Sequence, residues 1–227
     1  MHEDQEVPVL VDFLAERHAK QRFYDDVHQK LLDDFFEFTC QSLNLREKVR
    51  AKHLFRNRVN ISSEVLLHPA WEAQYGIWFM LEYQNIKGER MIEKYLSERH
   101  ASLSEEELHL AAYWMATYPS VYKVVEEWQD GYRLVDLWTG VEIHATLKQD
   151  QFVRKEFIVD QYIFARVVKV GFIHCFLGPY ALISKDKAPD IKLTMEKSFD
   201  RSKQENSPWS WRLFMQHHGI EVLRQNP

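Results

Sequence analysis

Apolar positions recur at helical spacing through the first half of this chain and at strand spacing after residue 118. From residue 9 to residue 42 one stripe runs on: Leu10, Phe13 and Leu14 open it. Tyr24, Val27, Leu31, Phe35 and Phe38 continue it at steps of three and four. This predicts one long amphipathic helix, with Pro8 in or just before its first turn. Asn44 suits the end of that helix or the start of the next. A second helix is predicted over 45–59, LREKVRAKHLFRNRV, with Leu45, Val49 and Phe55 facing inward. After the break ISSEV, the run 68–86 is rich in Trp71, Tyr75, Trp78, Phe79 and Leu81 and reads as a core helix with Pro69 near its first position. KGE breaks the pattern, and a further helix is predicted over 89–99.

The segment SLSEEELHLAAYWMATYPS carries the clearest local signals. Ser104 and Glu107 form a capping box, Leu103 and Leu108 a hydrophobic staple, and Pro119 ends the helix because the residue before a proline is pushed out of the α region. The pattern then changes. VYKVVEEW and YRLVDLW are rich in β-branched and aromatic residues, with Asp130-Gly131 between them as a hairpin turn. Thr139-Gly140 makes a second tight turn into VEIHATL. Residues 148–159 are less regular and read as a loop or short helix. YIFARVVKV and FIHCFLGPYALIS supply two more strands around Gly171. Five short strands with tight turns predict a small barrel of the SH3-like or OB-like kind. Residues 185–206 are polar and read as loop. A last helix, WSWRLFMQHH, is expected to start at a Ser207 cap with Pro208 at its first position and to end at Gly219 in a left-handed conformation.

The order of YGIWFMLEY, GERMIEKYLSER, LSEEELHLAAYW and SVYKVVEEWQDGYRLVDLWTGVEIHA resembles the region upstream of the SEC-C zinc motif in uncharacterised bacterial proteins. There a Trp-Phe helix, a helix ending near YL, an LSEEE helix, a YEV-type strand and a DL.TG turn follow one another. The later DQYIFARVV resembles the next strand, so the likeness spans about residues 71–185. It implies this fold and a bacterial cytoplasmic setting. The cysteine- and histidine-rich zinc tail is absent, so no metal function carries over, and the group offers no catalytic residues to transfer.

Composition narrows the classes. With 227 residues, 45% of them hydrophobic, the chain can bury a core, and seven Gly and seven Pro favour a helix-rich protein over a disordered one. No run approaches the roughly 18 apolar residues that cross a bilayer, so no membrane partner is expected. The acidic start MHEDQEVPVL is not a signal or transit peptide. Cys40 and Cys175 give no disulfide framework and no CxxC pair, which fits a reduced, cytoplasmic protein. The net charge of −5 is uneven: residues 45–60 carry six bases and one acid, between acidic segments on either side.

That basic island is the sharpest candidate site. Arg46, Lys48, Arg50, Lys52, Arg56 and Arg58 can track the phosphates of a nucleic acid or an acidic partner. They can equally pair within the protein with Asp25, Asp26, Asp33 and Asp34. Tyr132, Trp138, Trp209 and Trp211 are the aromatic contact candidates; Trp128 and Trp138 either line a pocket or fill the core. Asp25-x-x-His28 and Glu106-x-x-His109 match a metal-ligand spacing, but 34 acids and 11 histidines supply two such pairs by chance placement. His217 and His218 are adjacent and point about 100° apart. His174 and Cys175 face opposite sides of a strand, so the histidine does not activate the thiol. There is no GxSxG, Walker A or GxGxxG stretch, and no cofactor or metal is implied.

The expectation is an α+β protein with an N-terminal helical domain over 1–118, a β barrel over 119–185, and a linker with a C-terminal helix over 186–227. Its expected role is a non-enzymatic binding or adaptor protein for a protein partner. Nucleic-acid binding through the basic helix and barrel is the alternative, and an enzyme site at the helix–barrel junction the second alternative.

Overall fold

The structure, a computed structural model, describes residues 6–42, 44–128, 131–146, 158–205 and 209–225. The chain is α+β. Helices α1 (Glu6–Ser42), α2 (Leu45–Val59), α3 (Pro69–Leu81), α4 (Met91–Arg99) and α5 (Glu105–Ala116) precede a β region. Its strands are β1 (Pro119–Trp128), β2 (Gly131–Asp136), β3 (Glu142–Thr146), β4 (Tyr162–Val170), β5 (Ile173–Phe176) and β6 (Ala181–Ile183). Helices α6 (Ala188–Gln204) and α7 (Trp211–His218) follow, and a 3₁₀ segment, Gly219–Gln225, closes the described chain. Among the described residues, no helix is long and apolar enough to cross a membrane.

β1 pairs antiparallel with β2, and β2 with β3. β3 pairs in parallel with β5, β5 antiparallel with β4, and β4 returns antiparallel to β1. Five strands thus close into a barrel in the order β1-β2-β3-β5-β4-β1. The run β4-β1-β2-β3 is a Greek key, so the barrel is OB-like rather than SH3-like. The predicted last strand FIHCFLGPYALIS is two strands. Gly178, at φ +82°, and Pro179 split it, and β6 pairs with β4 at Tyr162–Phe164.

Strand alternation assigns the two barrel faces. Ile163 and Ala165 of β4 point inward with Tyr122, Val124, Leu134, Ala145 and Phe176. Phe164, Val168 and Val170 point outward into two helical cores. One outer core joins α2, α3, α6 and α7 to β1, β4 and β6; the other joins α1, α3, α4 and α5 to β4 and β5. Fully burying each large apolar side chain here contributes ~1.5–3 kcal/mol. The packing therefore runs across the expected boundaries at 118/119 and 185/186. The helices form a shell on the barrel.

Arg166 is the next outward position on β4, and it meets a carboxylate. Its Nε and Nη2 donate to Glu82 at 2.7 and 2.5 Å, at the C-terminus of α3. Burial pushes the Glu82 carboxyl above its ordinary value; Arg166 opposes this most, then Arg90 and Arg58.

Several local expectations change. Phe13 and Leu14 are exposed, and burial along α1 begins nearer Tyr24. Leu45 and Val49 are exposed too, because α2 buries Ala51, Phe55, Arg56 and Val59. The polar stretch 185–206 is not loop: α6 occupies most of it, with Pro189 in its first turn and Ala188, Ile191 and Met195 buried. Ser207 and Pro208 lie outside the described residues, as does most of 148–159. The Ser210 side chain caps α7 by accepting from the Leu213 N–H. Gly219 is right-handed at φ −56°. A Cβ there would lie 2.6 Å from Pro119 Cγ, so close packing, rather than a left-handed turn, requires the glycine. The Ser104–Glu107 capping box forms as expected.

Candidate functional site

The six bases of α2 are distributed over several internal partners. Lys48 Nζ donates to the Cys40 carbonyl at 2.5 Å, which is its link to α1. Arg50 bonds Glu47 and the Tyr83 hydroxyl at 3.0 and 2.9 Å. Lys52 pairs with Glu72 at 2.6 Å. Arg56 is buried and donates to the Ser62 carbonyl. Arg58 donates to the His217 carbonyl and lies 4.0 Å from Glu221. Arg46 alone of the six is exposed with no partner among the described residues. Asp25 and Asp33 of α1 instead accept from Gln21 and Gln29. The basic helix is thus an internal strut, tying α1, α3 and the C-terminal segment together.

Of the aromatic candidates, three are half-buried and pack against one core. Trp138 and Trp211 lie 5.5 Å apart, and Trp138 Nε1 donates to the Lys192 carbonyl. Trp209 stacks on His217 at 4.8 Å. The aromatic residues of the WSWRLF segment are therefore part of the core that holds α6 and α7 on the barrel. His28 is buried edge-on against Trp114, not on a solvated face. Among the described residues, no three His, Cys, Asp or Glu side chains gather into a metal-holding group.

Tyr132 is different. It is buried, yet it lines a cleft of about 750 Å³ at one mouth of the barrel. The walls are the end of β1 (Glu127, Trp128), the start of β2 (Gly131, Tyr132), β3 (His144–Thr146) and the turn into β5 (Phe172–His174). A β-bulge builds this mouth. Val124 pairs with Leu134 but Glu126 with Arg133, so one extra residue reverses the parity of the last turn of β1. Glu127 then shares the inner face with Tyr132, and Trp128 lies outside, opposite Gly131. With no side chain at Gly131, the Trp128 ring crosses β2 and stacks on His144 of β3 at 4.2 Å, 23° from parallel. A Cβ on Gly131 would lie 2.3 Å from the Ala145 carbonyl oxygen. Trp128 and Phe172 keep 45% and 47% of their surface exposed.

The opposite wall is held by α1. Gln21 donates to the Val170 carbonyl at 3.1 Å and accepts from the Phe172 N–H at 2.9 Å. Tyr24 meets Phe172 edge-on, and the Arg17 guanidinium sits 5.4 Å over the Phe172 ring. His174 lines the cleft and also a second cavity of about 290 Å³ in the barrel seam. Burial depresses its basicity, and the charges of Lys169 and His144 depress it further. In the seam cavity Asp136 is fully committed. It accepts from the Ser120 hydroxyl at 2.5 Å and from the Trp138 and Thr139 N–H groups, fixing the β2–β3 turn. At the helix–barrel junction, Arg166 and Glu82 converge, sealed from solvent.

Trp128, His144, Phe172 and Glu127 are cleft residues that the reading of the sequence did not select as contacts. Of these, the sequence points to Trp128 alone, without deciding its place. Comparison with family models, with curated proteins and with solved structures returned no match.

Proposed function

We propose that this is a non-enzymatic binding protein that holds a segment of a partner protein in the barrel-mouth cleft. The observation that carries this reading is the exposed Trp128 ring, stacked on His144 at the rim of the cleft. A rigid aromatic anchor beside a concave, mostly apolar surface is what binding hot spots use. The likeness to the region upstream of the SEC-C motif adds a bacterial cytoplasmic setting to the proposal. Selection of short random peptides on the intact protein, with the Trp128→Ala variant as counter-target, tests it. Enriched peptides should lose roughly tenfold or more in affinity on the variant. Failure to enrich any peptide, or enrichment indifferent to Trp128, refutes the assignment.

A second reading is single-stranded nucleic acid. OB-like barrels bind oligonucleotides on the strand 2–3 face and its flanking loops, where this cleft lies. Rings such as Trp128 can stack bases. Against it, among the described residues the cleft lining holds no lysine or arginine to neutralise phosphates. Fluorescence anisotropy with short DNA and RNA from about 50 to 200 mM salt decides this reading. Tight, salt-steep binding lost in Trp128→Ala would put it first.

A further inference from the structure

We infer, building on the cleft-binding reading, that the partner segment is basic and places an arginine or lysine side chain against the aromatic wall beside Glu127. Three observations carry this. Among the described residues the cleft lining contains the rings of Trp128, Tyr132 and Phe172, one acid, Glu127, and the imidazoles of His144 and His174. Glu127 is exposed and has no partner among the described residues. On its own wall, among the described residues, the fixed charges are mostly negative. Arg133 of the neighbouring strand is taken up by Glu126 at 3.0 Å and Glu142 at 3.3 Å, so two carboxylates share one guanidinium. On the far wall stand two bases, Lys169, paired across the strands with His174, and Arg17, over the Phe172 ring.

The rim also shows the contact within the protein itself. Arg17 of α1 sits over the Phe172 ring at 5.4 Å, so this wall already accepts a guanidinium on its face. An arginine over a tryptophan or tyrosine face gains from the ring quadrupole, and a nearby carboxylate adds to that. A phosphate chain or an acidic peptide would instead meet Glu126, Glu127 and Glu142 with Arg133 already engaged. On the Trp128 wall a basic side chain is therefore favoured by charge as well as by ring geometry.

The test uses intact protein labelled with 5-fluorotryptophan, the Trp128 ¹⁹F resonance being assigned by its loss in Trp128→Phe. Three short peptides of otherwise identical glycine–serine sequence carry arginine, citrulline or glutamate at the centre. Citrulline keeps the shape and hydrogen-bonding plane of arginine without its charge. The arginine peptide should shift the Trp128 resonance and bind roughly threefold to thirtyfold tighter than the citrulline peptide. Glu127→Gln should remove a large part of that difference, and the glutamate peptide should bind weakest. Equal binding of arginine and citrulline peptides at Trp128, or tighter binding of the glutamate peptide, overturns the basic-partner inference and leaves the cleft reading standing. No response of Trp128 to any of the peptides overturns the inference together with its premise.

Discussion

Replacing Arg166 with methionine should cost this protein far more than the loss of two hydrogen bonds. The Arg166 side chain is 0% exposed and Glu82 2%, and the bond is bidentate at 2.7 and 2.5 Å. Removing the guanidinium leaves a carboxylate in the packed interface between α3 and β4, with only the more distant Arg90 and Arg58 to oppose its burial. Breaking a buried pair in this way costs ~3–5 kcal/mol. For a chain of this size each kcal/mol shifts the melting midpoint by about 2–4 °C, so the fall should be roughly 6–20 °C. The double variant Glu82→Leu with Arg166→Met removes both charges and should recover most of the loss, since well-packed apolar residues replace a buried pair at little cost. The pH dependence carries a second signature. Burial already raises the Glu82 carboxyl, and losing Arg166 raises it further. A carboxyl raised above its unfolded value binds its proton more tightly when folded. The single variant should therefore regain stability relative to wild type as pH falls from about 8 to 5. Urea unfolding of the four proteins of the cycle, at both ends of that range, measures all of this. A single-variant loss below about 1 kcal/mol, or a double variant no better than Arg166→Met, refutes the buried-charge argument.

Gly131→Ala should destabilise by about 1–3 kcal/mol, because the new Cβ would lie 2.3 Å from a backbone oxygen. Gly76→Ala, inside α3 with nothing within 4 Å, should stabilise by roughly 0.5–1 kcal/mol; thermal melts of the pair check both signs. Arg46→Glu should leave stability within about 0.5 kcal/mol. Arg56→Glu should lower it by ~1–3 kcal/mol or more, since Arg56 is buried on the Ser62 carbonyl; chemical denaturation separates them. His217 should titrate below 6.5 by NMR, lowered by burial and then by His218, Arg58 and Arg90. Its folded form thus disfavours the proton, so its share of stability is complete above about pH 6.5 and declines as pH falls through that value. A His217 midpoint at or above 6.5 would contradict this.

What was legible in the sequence was what short-range rules control. The Ser104–Glu107 box forms because its two bonds span three residues, and the helix-to-strand switch at Pro119 follows from a change of period. The barrel type follows from the β3–β5 and β4–β1 pairings, which join residues far apart in the chain. α6 was hidden because Ala188, Ile191 and Met195 are scattered among lysines and acids, and only a partner surface makes that sparse stripe a helix face. Trp128 was undecidable for a sharper reason. Strict alternation from the inward Val124 would put Trp128 inside the barrel. The bulge between Val124 and Glu126 reverses that and delivers the ring to the rim. The basic island was ambiguous for a different reason. Its density alone does not separate an external polyanion from internal pairing; Glu47 in the same helix, distant Glu72 and Glu221, and several carbonyls supply internal partners.

The helical shell also bears on the proposed use of this mouth of the barrel. Phe164, Val168, Val170 and Cys175 on the outer face are buried under helices, so the outside of β4 and β5 is closed to partners. The β4–β5 turn emerges from that cover and is gripped by α1. Gly171, at φ +59°, lets the chain reverse where a Cβ would lie 2.8 Å from Gln21 Oε1 and Tyr24 Cδ2. One wall of the cleft, Phe172, is therefore set by a helix, and the facing wall, Trp128 on His144, by the bulged hairpin. The Glu82–Arg166 pair fixes α3 on β4, the strand that leads into that turn, and α1 packs in the same core as α3. The spacing of the two walls thus depends on how the helices dock on the barrel. A ligand that bridges Trp128 and Phe172 gains affinity only in the docked arrangement, so its binding stabilises that arrangement by the same free energy.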